Sequence, residues 1–593
     1  MVHDPVAVRF GHAAGEAAAG GGNARAGMGE ALGEGLGEGL AEGLGESLGA
    51  SLGASLGEGR GAAAGATSAP PRAAAALLLL VLLSLPTLAL LAFSLAPPIN
   101  HDVAAILHYT ERWLAGERLY ADLFDINPPL VFIVTALPAA LAAAAPISAI
   151  AAAQAAIVLL GVWCLWLCWR LAGRDVLPAS PRFWVLAVLL PFLGLAFPVE
   201  MFGQREHLML LTTLPYLLLA ERRGASVPVE PRLEMTVALL AALGFALKPY
   251  FLALPLLVEA QLLLSLRLRA WSRSPTPWLL GAVWLAYGLV IVAAFPAYLT
   301  LVVPFAVGVY KRLDTSLLGA AFGLYGLPPL IGLLALSPFA FRRGASALSR
   351  LVALAACGAW LAAVAQGKGW PYHMLPAEAL LVLLAGILGA DLLARLLPRE
   401  GLPRAGPPLA WLCLAVGFAA AAATREPAGE RLAFTQGEVA PLSRLFAAEA
   451  RGGKVLILSA TLAPWFPALN YAGATMASRF MTMWMIQGSY RDCEPGERRY
   501  HALRTMSRAE RYAFRAIAAD LVDHRPKLVV VDSLTGIEPC GGRDFDFLAY
   551  AMRSPSFAHA FSQYDRIASP LDRLRVYRLR EEGAAQAALK GEP

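Results

Sequence analysis

The chain has 593 residues, of which 58% are hydrophobic and only 16% charged, with a formal net charge of +6. Soluble domains carry about a quarter charged residues, and a water-soluble fold of this length would leave too much apolar surface uncovered, so a single globular enzyme is excluded. Long apolar runs exclude a disordered chain, and a modest positive charge spread over loops gives no sign of nucleic-acid binding. What remains is a polytopic membrane protein with hydrophilic extensions.

Residues 1–72 read as a low-complexity cytoplasmic tail. A leucine recurs every fourth residue from Leu32 to Leu56 in a Gly, Ala and Glu background. So many glycines, each costing about 1 kcal/mol against Ala in a helix, predict disorder. The first apolar run starts near Ala73, so no cleaved signal peptide is expected.

Residues 73–424 hold the candidate spans: 73–96, 147–169, 183–199, 207–220, 233–247, 250–266, 277–303, 317–341, 351–366, 374–394 and 406–423. A further apolar run, 128–145, either crosses or lies along the membrane, and arginine placement decides. If it does not cross, fifteen arginines, among them Arg170, Arg182, Arg222, Arg223, Arg267, Arg342 and Arg395, fall in inner loops. Letting it cross would turn all of them outward, against the preference for basic residues inside. About eleven spans follow, with 128–145 in the outer leaflet and a first outer loop over 97–146. The segments 233–247 and 250–266 stay separate, meeting at Lys248-Pro249, because one kinked helix would put Arg267, Arg269 and Arg273 outside.

An odd number of spans puts 425–593 outside the cytoplasm. There KVLILS (Lys454–Ser459) and KLVVVDS (Lys527–Ser533) read as buried strands, with a helix over about Ala509–His524 between them and a later strand at Arg573–Leu579. That order predicts a small α/β layer. The absence of a Gly-rich loop after the first strand argues against dinucleotide binding. The fold class is thus mainly α: a polytopic helical bundle with outer juxtamembrane helices and a C-terminal soluble α/β domain. High Ala, Gly, Arg and Leu usage fits a GC-rich bacterial genome, so the inner membrane is the expected location.

The first outer loop, PPINHDVAAILHYTERWLAGERLYADLFDINPPL (Pro97–Leu130), gathers polar and aromatic residues. Asp102 reads in two compatible ways, as the N-cap of a helix starting at Val103 and as an acid placed to take a proton at the membrane face. The loop resembles the signature of the GT-C glycosyltransferases, in the bacterial branch grouped with protein O-mannosyltransferases and lipid A aminoarabinose transferases. The resemblance rests on Asp102 after the first span, on Gly116-Glu117-Arg118-Leu119-Tyr120-Ala121-Asp122, and on Asn127-Pro128-Pro129-Leu130. It covers about 73–424 in architecture, with its specific motifs in 100–135. Two departures stand out: Val103 follows Asp102 where many members have Glu, and Asn127 precedes Pro-Pro where some carry Lys. The resemblance implies a polyprenyl-phosphate sugar donor and a glycan, lipid or protein acceptor. It also implies Asp102 as the catalytic base, with His101, Tyr120, Asp122 and Asn127 as substrate-binding candidates.

In the second outer loop, PVEMFGQREHLML (Pro198–Leu210), the resemblance implies a second catalytic acid, best matched by Glu206, which would orient the acceptor, with Arg205 beside it as a substrate-binding candidate. The alternative for Glu206 is a charged residue snorkelling at a helix end. Asp102 and Glu206 could share Mg²⁺ or Mn²⁺, but two acids are too few to define a metal site. Lys248 and Lys368 sit at the outer ends of apolar spans, where a cation needs an anionic partner. A lipid phosphate would serve, with Tyr372 and His373 of QGKGWPYHMLP (Gln366–Pro376) adding hydrogen bonds. Two rival readings are a polytopic lipid or solute transporter or flippase and a non-catalytic envelope assembly protein. The former should show repeated halves, and no convincing repeat is found.

Cys164, Cys168, Cys357 and Cys413 lie in spans, leaving Cys493 and Cys540 as a disulfide candidate in an oxidising compartment. The check is mass spectrometry of protein alkylated without reduction. A bridge leaves both residues unlabelled, whereas two alkylated thiols would exclude it.

Overall fold

The structure, a computed structural model, describes residues 71–172, 180–425, 434–491, 499–539 and 543–580. The tail expected over 1–72 falls almost wholly outside them, and so do Cys493 and Cys540.

Every expected apolar run in the described residues is helical. The bundle helices are α1 (Pro71–Leu95), α2 (His101–Leu114), α3 (Leu130–Ala144), α4 (Ala149–Ala172), α5 (Pro181–Pro191), α6 (Arg205–Gly224) and α7 (Pro231–Ala246). They continue as α8 (Ala253–Trp271), α9 (Thr276–Ala294), α10 (Leu327–Phe341), α11 (Ala347–Ala365), α12 (Pro371–Leu396) and α13 (Leu402–Thr424). Seven helices among the described residues are long and apolar enough to cross a membrane: α1, α4, α9, α11, α12, α13 and the unit Pro249–Trp271 that contains α8. The outward faces carry large apolar side chains, among them Leu285 and Leu289 of α9, each more than 60% exposed. Such a surface is stable only against hydrocarbon, so the chain is a multi-pass membrane protein.

Prolines and glycines reset several expected boundaries. The run 277–303 stops being one helix at Ala294, because Phe295 precedes Pro296 and leaves the helical region. Short turns at Tyr298–Val302 and Val303–Gly308 follow. The run 317–341 divides into a short helix, Leu317–Phe322, and α10, which starts after Gly326 with Pro328-Pro329 in its first turn. The break expected at Lys248-Pro249 is present: Lys248 is extended and Pro249 opens a 3₁₀ turn leading into α8.

The C-terminal region carries a five-stranded sheet with the order β2-β1-β3-β5-β4. Its strands are β1 (Lys454–Leu458), β2 (Thr475–Met476), β3 (Leu528–Asp532), β4 (Tyr564–Ile567) and β5 (Leu574–Leu579). The first three run parallel, while β5 pairs antiparallel with both β3 and β4. The central strand β3 is buried throughout, as expected of a continuous apolar run covered on both faces. Helices α14 (Trp465–Ala472) and α15 (Arg508–His524) flank the sheet.

This sheet region shares one hydrophobic core with the first loop. Tyr109, Tyr120, Phe124 and Phe132, with Phe305 and Val309, belong to the same buried cluster as Val455, Trp465, Phe480 and Val530. Hydrogen bonds tie the pieces: Phe124 N donates to Arg479 O at 2.7 Å, and the Asn470 side-chain Nδ2 to Ala104 O at 3.1 Å. All these loops therefore lie at one end of the bundle. The opposite end gathers arginine ion pairs, including Arg170–Glu230 at 2.9 Å and Arg223–Glu259 at 2.6 Å.

His108 is buried in this shared core, where its Nε2 accepts a hydrogen bond from Met476 N at 3.0 Å. Burial, and then the Arg112 charge, push its pKa down to about 3. Unfolding releases a histidine that titrates near 6.5, so the neutral form's contribution is complete above pH 6.5 and is lost as pH falls toward 3. Thermal unfolding in detergent should therefore lose roughly 2 kcal/mol between pH 6.5 and pH 5 from this group alone. His108→Gln, which keeps an acceptor but cannot titrate, should show a clearly shallower pH dependence; an unchanged slope would exclude His108 as its source.

Candidate functional site

The site begins with a cap. Asn100 Oδ1 accepts from the backbone N–H groups of Asp102 at 3.0 Å and Val103 at 3.4 Å, so Asn100 caps α2 and the helix starts at His101. The expectation that Asp102 caps a helix from Val103 is corrected: the preceding Asn reaches the orphan N–H groups first. The Asp102 carboxylate is thereby released. It accepts no hydrogen bond among the described residues, and His101 Nε2 lies 3.9 Å away.

Asn100 also joins the two loops. Its Nδ2 donates to Glu200 O at 2.9 Å, and Gln204 Nε2 donates to its Oδ1 at 3.1 Å. That linkage brings the head of α6, with Arg205 and Glu206, beside Asp102. Arg205 feels the charges of Glu206, Tyr372, Asp102 and Asp125, yet its half-buried guanidinium forms no hydrogen bond or ion pair among the described residues. Asp102 likewise acts electrostatically on Lys248, Tyr310 and Tyr372.

Lys248 and Lys368 already have anionic partners within the chain. Thrown out of the helical path before Pro249, Lys248 donates to Glu206 Oε1 at 2.6 Å and to Gln366 Oε1 at 2.8 Å. Glu206 is wholly buried. Burial pushes the Lys248 ammonium down to about 8, and Arg205 adds to the fall, while Glu206 opposes it. Lys368 pairs with Asp314 at 2.5 Å and lies 3.5 Å from the centre of the Tyr310 ring. It sits between Gly367 and Gly369, both at positive φ. A Cβ on Gly367 would meet the Asp314 carboxylate at 3.0 Å, so this turn depends on glycine. Burial holds the Lys368 ammonium below its usual range against the opposing pull of Asp314.

His373 Nε2 lies 3.9 Å from Glu206 Oε1, and the ring faces the charges of Lys248, Arg205 and Lys368. Two buried atoms here, Glu206 Oε2 and His373 Nδ1, have no hydrogen-bond partner among the described residues. Buried polar atoms are nearly always satisfied, so both carry hydrogen-bonding capacity that the described residues leave unused. Asp102, Arg205, Glu206, Lys248, Tyr372 and His373 thus come together, with His101 beside Asp102 and Lys368 within electrostatic range of His373.

The remaining candidates build the loop. Tyr120, fully buried at φ 69°, donates to Asn127 O at 2.7 Å. Asp122 turns back onto Arg118, accepting from its backbone N–H at 3.0 Å and from Nε at 2.8 Å. Asp125 Oδ1 accepts from Asn127 N at 2.7 Å, and burial raises its pKa. The Gly116–Asp122 stretch therefore shapes the chain rather than presenting its side chains beside Asp102. Among the described residues no group of three or more His, Cys, Asp and Glu gathers as metal ligands. With Glu206 committed to Lys248 and Arg205 close to both acids, Asp102 and Glu206 do not suit a shared divalent cation.

Sequence reasoning overlooked Asn100, Tyr310, Asp314 and Gln366 as site-builders. Asp314 had a signal, being a lone acid just after Lys311-Arg312 near the end that holds Lys368. Asn100 had one too, as an Asn directly before a helix. Gln366 and Tyr310 act through tertiary contacts that no local pattern announces.

Removing one member of a buried ion pair costs about 3–5 kcal/mol. Glu206→Leu and Lys248→Met should each lower the unfolding temperature in detergent markedly. The double variant should be more stable than either single one. Additive losses would show that the pair is not coupled.

No protein-family model and no curated protein matches the chain. A solved structure described as the crystal structure of ArnT from Cupriavidus metallidurans in the apo state is similar, at a TM-score of 0.47 and 13% identity. The match covers 85% of this chain and 98% of that one.

Proposed function

We propose that the chain is an integral-membrane glycosyltransferase, moving a sugar from a polyprenyl-phosphate donor to an acceptor hydroxyl at the bundle end that carries the sheet region. One observation carries this reading. Asp102 and Arg205, a carboxylate and a guanidinium that act on each other electrostatically, both lack hydrogen-bond partners among the described residues. A transferase with a phosphate leaving group needs these two roles at the head of its spans, a base for the acceptor and a cation for the departing phosphate.

In the proposed step the acceptor oxygen attacks the anomeric carbon from the side opposite the phosphate. The new C–O bond forms as the bond to the phosphate oxygen breaks, and that electron pair leaves on the phosphate. Asp102 takes the acceptor proton. Arg205 meets the developing charge with a fork of donors. Lys248 and Lys368, neutralised by Glu206 and Asp314, contribute through position and residual field, with Tyr372, His373 and His101 lining the approach. Direct displacement inverts the anomeric centre. The arginine-rich opposite end supports a cytoplasmic placement of that face, so the reaction side is periplasmic in a bacterial inner membrane. The acceptor is a glycan, lipid or protein hydroxyl.

The test uses proteoliposomes loaded with a membrane extract whose lipid-linked sugars are metabolically labelled. Asp102→Asn should cut label transfer by about 100-fold or more, and Arg205→Gln should do so to a similar degree. Undiminished transfer in Asp102→Asn would remove it as the base.

A further inference from the structure

The fold holds a hollow that Asp102 does not line. It has a volume of about 570 Å³ and runs between α15 and the Leu301–Phe305 stretch. One wall is basic. Arg508, Arg511 and Arg515 project from one face of α15 at spacings of three and four, and Arg479 joins them. The other wall is apolar, formed by Leu301 and Phe305.

The charges on the basic wall are only partly answered. Arg479 pairs with Asp520 at 2.7 Å. Arg511 donates to two neutral carbonyls, Met506 O at 3.1 Å and Arg504 O at 3.4 Å. Arg508 lies 5.8 Å from the centre of the Phe305 ring. Neither Arg508, Arg511 nor Arg515 has a carboxylate partner among the described residues. Like charges at helical spacing repel by a few tenths of a kcal/mol per pair, and an anion shared by the three guanidinium forks removes that cost.

The apolar wall indicates what accompanies the anion. Leu301 and Phe305 belong to the segment that follows α9 by a few residues, and that segment also exposes Leu299 at 42% and Val307 at 59%. The apolar wall of the hollow thus belongs to a segment that follows a span closely in sequence and exposes other large apolar side chains.

We propose that this hollow binds the phosphate head of an amphiphile, held by Arg508, Arg511 and Arg515, with its chain along Leu301 and Phe305. The proposal does not depend on sugar transfer at Asp102. It gives the sheet region a binding task of its own.

Isothermal titration of the full chain in a neutral maltoside detergent tests it, with dihexanoyl phosphatidic acid, dihexanoyl phosphatidylcholine and inorganic phosphate as probes. Phosphatidic acid should bind, with affinity at least tenfold above phosphatidylcholine. R508Q/R511Q/R515Q should weaken it tenfold or more. L301S should weaken phosphatidic acid and leave inorganic phosphate unchanged. R515Q, whose guanidinium bonds to nothing in the described fold, should alone cost about threefold and serves if the triple variant misfolds. Equal affinity for both lipids, or no loss in the arginine variants, would overturn the proposal. Inorganic phosphate binding as tightly as phosphatidic acid would overturn the amphiphile and leave a site for a soluble phosphate.

Discussion

The buried Lys248–Glu206 ion pair is the constraint on which the candidate site depends. Pro249 forces the chain out of helix at Lys248, and the ammonium emerges where Glu206 and Gln366 can receive it. Three separate stretches of chain, the heads of α6 and α8 and the end of α11, are locked together by one nitrogen. Such a pair contributes little net stability over a hydrophobic substitute, but breaking it is costly. Its value here is register. It fixes Arg205, one residue before Glu206, against the first loop.

Charges at this end of the bundle fall into two groups. Lys248 pairs with Glu206 and Lys368 with Asp314, and both pairs tie separate stretches of chain together. Asp102 and Arg205 act on each other electrostatically with no hydrogen bond or ion pair between them, which leaves both open to the proposed substrate. Asn100 makes this separation by capping α2 in place of Asp102 and by holding Glu200 and Gln204 of the second loop. The shared core with the sheet region then covers the first loop, so the catalytic proposal and the sheet region are mechanically linked through Tyr109, Phe124 and His108.

Much of the architecture was legible because apolar runs and arginine placement are local signals. The spans, the break at Lys248-Pro249, strands β1, β3 and β5, and the helix between β1 and β3 all follow from composition and period. Breaks at Phe295-Pro296 and Gly323–Gly326 were missed because both lie inside runs whose apolarity masks the punctuation. At the site, residue types were informative and pairings were not. Lys248 and Lys368 were expected to face a lipid phosphate, whereas the anions beside them in the fold are Glu206 and Asp314, residues distant in sequence. The Gly116–Asp122 motif illustrates the same divide: its residues are conspicuous in the sequence, while their bonds to Arg118 and Asn127 show them shaping the loop.

The central claim is that Asp102 and Arg205 stand ready on either side of a phosphate-linked sugar. A cryo-electron-microscopy map of the protein with farnesyl phosphate tests this most directly. The account predicts the phosphate within about 3 Å of the Arg205 guanidinium, with the Asp102 carboxylate facing the oxygen that would carry the sugar. A phosphate seated elsewhere, with Arg205 turned away from it, would contradict the account.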